Sequence, residues 1–102
     1  MNIGSLFGAM AAGPAPQIAR DEIPAGDGTL LVSTVDSYDC GPETAICDAN
    51  GAHPVERYKT RDEAVIGHAK WIKDAPTLKT IIRLGYGKVA EDEEVTLVPV
   101  RK

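Results

Sequence analysis

Glu56-Arg57-Tyr58-Lys59-Thr60-Arg61-Asp62-Glu63-Ala64-Val65-Ile66-Gly67-His68-Ala69-Lys70-Trp71-Ile72-Lys73 is the stretch whose reading decides the fold. It ends a strand and opens an amphipathic helix. Thr60 and Glu63 have capping-box spacing: the Thr60 hydroxyl can accept from the Glu63 N–H, and the Glu63 carboxylate can reach back to the Thr60 N–H. Asp62 and Glu63 lie in the first turn, where the helix dipole favours negative charge. Lys70 and Lys73 lie near the end, where it favours positive charge. Ala64, Val65, His68, Ala69, Trp71 and Ile72 fall at helical spacing and read as one broad inward face. Pro76 stops the run. The pattern predicts a helix from Arg61 to Lys73.

Upstream, Leu30-Leu31-Val32-Ser33-Thr34-Val35 reads as a strand. Asp36 to Pro42 is rich in turn formers, and Glu43 to Asp48 is a second strand. Asn50-Gly51 is a strong turn signal. His53 to Lys59 is a third, more polar strand that runs into the helix. Downstream, Leu78 to Tyr86 fits two templates. Leu78, Ile82, Leu84 and Tyr86 alternate as in a strand, whereas Leu78, Ile81 and Ile82 with Gly85 as a C-cap fit a short helix. Glu91 to Glu94 is an acidic turn. Glu94 to Val100 is a final strand, with Pro99 favouring an edge position. The expected fold is α+β: a small antiparallel sheet, built as β-β-β-α plus a C-terminal strand, with one main helix packed on it. Leu31, Val35, Ile46, Val65, Ala69, Trp71 and Ile72 are the expected core.

Residues 1–28 differ in composition. They are rich in Ala, Gly and Pro, and Pro14, Pro16 and Pro24 exclude a continuous helix or a central strand. The expected organisation is an extended N-terminal arm over 1–28 and a single α+β domain over 29–102. At the tip, Ile3, Leu6, Phe7 and Met10 fall on one helical face. A helix this short is unstable alone in water. The quartet reads either as a partner-binding anchor or as a frayed terminus that packs on its own domain or stays disordered. Ala9-Met10-Ala11 resembles a signal-peptidase site, but no Lys or Arg precedes the apolar run.

The 102 residues carry a net charge of −4. Scattered basic residues with no interleaved stacking aromatic argue against nucleic acid as a partner. No segment approaches the ~20 apolar residues of a membrane span. Two cysteines, Cys40 and Cys47, are too few for a disulfide scaffold. Cys47 reads as a small core residue and Cys40 as a turn residue, with a bridge between them left open.

The groups that could carry chemistry do not assemble into a known motif. Asp39-Cys40-Gly41-Pro42 is similar to the stretch around the nucleophile of some cysteine peptidases. It lacks their preceding Gln, and a strand follows it where they place a helix. Cys40, Cys47, His53 and His68 are not paired as zinc ligands usually are. His68 reads as a core histidine bonded to backbone near Trp71. Asp36, Asp39, Glu43 and Asp48 read as solvated turn carboxylates. Gly85-Tyr86-Gly87 matches neither a Walker loop nor a dinucleotide fingerprint. No catalytic residue, metal ligand, cofactor or small-molecule substrate is expected.

The segment Glu56-Arg57-Tyr58-x-Thr60-x-x-Glu63-Ala64-x-x-Gly67-His68-x-x-Trp71 resembles a family of small, mostly uncharacterised proteins from tailed bacteriophages. Their Val-Ser-Thr-Val strand matches Val32 to Val35, and their Glu-Thr pair matches Glu43-Thr44. The likeness covers residues 30–73. It implies a viral origin and no mechanism. With the apolar-tipped arm, it leads to an expected role as a non-enzymatic virion component: a head decoration, cement or connector-associated subunit. Its partners would be other virion proteins or copies of itself, bound through Ile3, Leu6, Phe7 and Met10. A soluble early protein that inhibits a host defence or regulatory complex is the alternative, and an enzyme is the third class.

Overall fold

The computed structural model describes residues 17–37, 41–85 and 91–101, all but the side chain of Ser37. Its elements are β1 (Gln17–Ala25), β2 (Gly28–Ser37), β3 (Gly41–Asp48), β4 (Gly51–Arg57), α1 (Arg61–Asp74), a 3₁₀ turn (Ala75–Thr77), β5 (Thr80–Arg83), β6 (Glu93–Thr96) and β7 (Val100–Arg101). The architecture is α+β, with an antiparallel sheet in the order β1-β2-β3-β4 and β7 paired to β2. Helix α1 packs on one face, against β1, β2 and β3. β5 and β6 form a small second sheet.

The helix starts as its sequence requires. The Glu63 N–H donates to Thr60 Oγ1 at 3.1 Å. The Glu63 carboxylate reaches back one residue further than expected, to the Lys59 N–H at 3.4 Å. The buried side of α1 is Ala64, Gly67 and His68, continued by the half-buried Trp71 and Ile72, which pack against the core. This is i, i+3, i+4, i+7, i+8 spacing. Val65 and Ala69 fall off that row and are exposed, so they leave the expected core. Val35 is half-buried.

On the sheet, Leu30, Val32 and Ile46 are fully buried beneath the helix. Leu31 and Cys47 alternate to the other face and are also fully buried. β2 is therefore buried on both sides, which is why it reads as a continuous apolar run rather than an alternating one.

The boundary expected at residue 28 is corrected. Residues 17–28 belong to the sheet, because β1 pairs with β2 from Gln17–Val35 to Ala25–Gly28. Ile23 and Ala25 enter the core. Pro24 is tolerated because β1 is the edge strand. Gly26 takes φ +57 and Asp27 follows it without a positive φ, as a two-residue II′ hairpin turn requires.

The two-template segment is a strand: β5 pairs with β6, Ile81 opposite Val95. The expected final strand splits into β6 and β7 around Leu97-Val98-Pro99. Backbone bonds tie these parts to the main sheet, with the Ala49 N–H donating to Val98 O and the Leu84 N–H donating to Pro54 O, each at 2.8 Å.

Candidate functional site

Between the sheet and α1 lies a continuous polar chain of seven side chains from five segments. On the inward face, Thr34 (β2) pairs with Thr44 (β3) in register, and Asp21 (β1) pairs with Val32, two residues before Thr34 on the same face of β2. His68 comes down from α1. Its Nε2 lies 2.8 Å from Asp21 Oδ2 and its Nδ1 lies 2.6 Å from Thr34 Oγ1. Thr34 Oγ1 lies 2.6 Å from Thr44 Oγ1, which lies 2.9 Å from the Tyr58 hydroxyl. Tyr58 donates to Glu56 Oε1 at 2.9 Å. The Trp71 indole N–H donates to the same oxygen at 2.9 Å. His68 is a core histidine, but its partners are side chains on two strands rather than the expected backbone.

Gly67 makes room for this chain. A Cβ there would overlap the Tyr58 ring and hydroxyl, so the glycine lets the ring lie against the helix. Burial is the main reason the Tyr58 hydroxyl is pushed up to about 12, and the Glu56 carboxylate pushes it the same way against an opposing bond from Thr44. Lys70 Nζ sits 5.6 Å from the Trp71 ring centre, within cation–π range.

Asp21, His68 and Thr34 have the acid–histidine–hydroxyl order of a nucleophile triad. Thr34 is fully buried and His68 is 4 % exposed, and the Thr34 hydroxyl is already engaged by Thr44. A substrate could reach that oxygen only if the helix lifted. The arrangement suits fixing α1 to the sheet.

A second cluster centres on Asp48. Expected to be a solvated turn residue, it is fully buried. Its Oδ1 accepts from the Asn50 N–H at 2.8 Å and from His53 Nε2 at 2.9 Å. Its Oδ2 accepts from the Val98 N–H at 2.9 Å. One carboxylate thus joins the β3–β4 turn, β4 and the C-terminal segment. His53 Nδ1 is buried with no hydrogen-bond partner. Glu43 is also engaged: it accepts from Arg57 Nε at 3.1 Å, while Arg57 Nη1 donates to Gly85 O at 2.9 Å.

The two histidines therefore belong to separate networks. Among the described residues, no group of three or more His, Cys, Asp or Glu converges as a metal site. Cys47 is a free buried thiol, pushed up to about 11 mainly by burial, with Arg20 opposing and Asp48 adding to the shift. Cys40 and the anchor residues Ile3, Leu6, Phe7 and Met10 lie outside the described residues.

A groove of about 650 Å³ runs between the β1–β2 turn, the 3₁₀ turn and the C-terminal strands, with Leu78, Lys79, Leu97, Pro99 and Arg101 among its lining residues. No described helix is long and apolar enough to cross a membrane.

Sequence reasoning could have found part of the main network. Thr34 and Thr44 occupy inward positions on strands by simple alternation. Asp21 carried no such signal, because its strand is short of apolar residues. Comparison of the chain with protein-family models, curated proteins and solved structures found no match.

Proposed function

We propose that this chain is a non-enzymatic structural or accessory component of a tailed-bacteriophage particle that binds other virion proteins. What supports the reading is where the residues that carry the phage resemblance go. Glu56, Tyr58, Gly67, His68 and Trp71 serve the buried chain that fastens α1 to the sheet, and Thr60 and Glu63 cap the helix. The signature is thereby accounted for by folding. The outward row of α1 carries Val65 and Ile66, 53 % and 73 % exposed, and offers an apolar contact surface to a neighbour.

Mass spectrometry of purified particles tests this. Stoichiometric copies of the chain are expected in the virion. Its absence from particles, with expression early in infection, would replace this reading with the soluble inhibitor of a host complex. Ile66→Glu, at a side chain 73 % exposed, should leave the melting temperature unchanged and reduce incorporation into particles.

A further inference from the structure

Counting protons along the chain, which is buried at Thr34, Thr44 and His68 and reaches solvent at Asp21, gives a direction to each hydrogen bond in it. A hydroxyl has one proton to give. The Tyr58 proton goes to Glu56, so across the 2.9 Å Thr44–Tyr58 contact Thr44 is the donor. The Thr44 proton is committed there, so Thr34 donates across the 2.6 Å contact between the two threonines. The Thr34 proton is then committed, and its oxygen accepts from His68 Nδ1 at 2.6 Å. On the other side of the ring, Asp21 as a carboxylate can only accept, so His68 Nε2 also donates. With Asp21 and Glu56 ionised, both ring nitrogens carry protons. The chain of contacts is complete only with His68 as imidazolium.

We propose that His68 is a proton-operated switch that sets the polarity of the Thr34–Thr44–Tyr58 hydroxyl chain and so controls Glu56 and Trp71 at its far end. When the ring gives its Nδ1 proton to solvent, Nδ1 becomes an acceptor. Thr34 turns to donate to it, Thr44 turns to Thr34, and Tyr58 turns to Thr44. Glu56 then keeps only the Trp71 N–H. One proton leaves, no bond between heavy atoms changes, and a bond is lost three hydroxyls away. The lock between helix and sheet is complete on the acid side and one hydrogen bond short on the alkaline side.

Among the described residues, the charged groups around the ring are few. Asp21 from β1 contacts the ring, and Asp36 lies two residues beyond Thr34 on the same face of β2. β3 presents Pro42, Thr44 and Ile46 on that face, with Asp48 further along. Glu56 and Tyr58 come from the end of β4 and the residue that follows it, and the 3₁₀ turn presents no titratable group. Arg20 alternates to the opposite face.

Trp71 is the only tryptophan, so its fluorescence reads the far end directly. The experiment follows the full chain between about pH 5 and about pH 8, where imidazole is the side chain that changes charge. Assigned ¹⁵N signals separate His68 from His53, and ¹³C carboxyl signals follow Asp21 and Glu56. A single transition is expected in the wild type, with His68 Nδ1 and Trp71 emission sharing a midpoint. In Thr44→Val, which interrupts the hydroxyl chain without changing side-chain shape, His68 should still titrate while the Trp71 response is lost. A Trp71 response that survives in Thr44→Val overturns the proposal. So does a His68 that holds one protonation state across the range, or a carboxyl signal showing that Asp21 or Glu56 carries the extra proton. Should Thr44→Val not fold, the shared midpoint in the wild type decides alone.

Discussion

Gly67 and Cys47 illustrate how one residue can be decided by its neighbours. A glycine inside a helix costs about 1 kcal/mol relative to alanine, so propensity alone favours Gly67→Ala. The Tyr58 ring occupies the space a Cβ would need. Overpacking of this kind costs about 1–3 kcal/mol, and Tyr58 cannot retreat without leaving Thr44 and Glu56. Gly67→Ala is therefore expected to destabilise the protein, read as a lower midpoint in urea. Cys47 is fully buried and its thiol is pushed up to about 11. The thiolate is the reactive form. Peptide mapping after iodoacetamide treatment should find Cys47 unmodified in the native protein and modified in denaturant. Rapid native labelling would place the thiol at the surface.

At the scale of elements, the joints matter more than the strands. β3 covers β2 from Leu31 to Ser37, and β7 covers it at Gly28 and Thr29. Asp48 stands at the handover and holds the Val98 amide. Asp48→Asn keeps the size but replaces one accepting oxygen with a donor, so one of the three bonds must fail. Leaving a buried group unpaired costs about 1–3 kcal/mol. The amide that keeps its oxygen on Asn50 and His53 turns its NH₂ to Val98, so the expected result is lower stability together with faster amide exchange at Val98. Unchanged exchange at Val98 would show that β7 is held by other contacts. The β1 hairpin is a joint of a different kind, since it supplies both a sheet edge and the Asp21 partner of His68. A chain starting at Thr29 loses both, and by circular dichroism it should fail to fold cooperatively. A native-like transition in that truncation would return residues 17–28 to the role of an arm.

For the molecule as a whole, two titrations set an alkaline limit. Tyr58 rises from 10 to about 12 and Cys47 from 9 to about 11. Each group holds its proton more tightly when folded than when unfolded, so each contributes stability that is complete below its unfolded value. That contribution is lost as pH rises, from 9 to about 11 for Cys47 and from 10 to about 12 for Tyr58. Melting temperatures measured from pH 8 upward should begin to fall near 9, with Tyr58→Phe removing the later part of the decline. A decline of the same size in Tyr58→Phe would assign it to other groups.

By itself the sequence determined the local structure wherever the determinants are local. Thr60 and Glu63 mark the helix start, Pro76 marks its end, and the apolar run from Leu30 marks the central strand. These depend on spacing along the chain, and they came through with small shifts at their ends. The tertiary structure decided what depends on neighbours distant in sequence. Val65 and Ala69 lie close to the apolar stripe of α1, and only the docking angle turns them to solvent. Gln17–Ala25 looks like a linker because its middle is Arg20-Asp21-Glu22, and an edge strand can carry such residues when one of them meets a histidine on the helix. Asp48 reads as a turn carboxylate until the Val98 amide, fifty positions away, closes over it. Buried polar groups are bonded to partners, but the partner's identity is a property of the packed chain, and no spacing within β1, β3 or α1 encodes it.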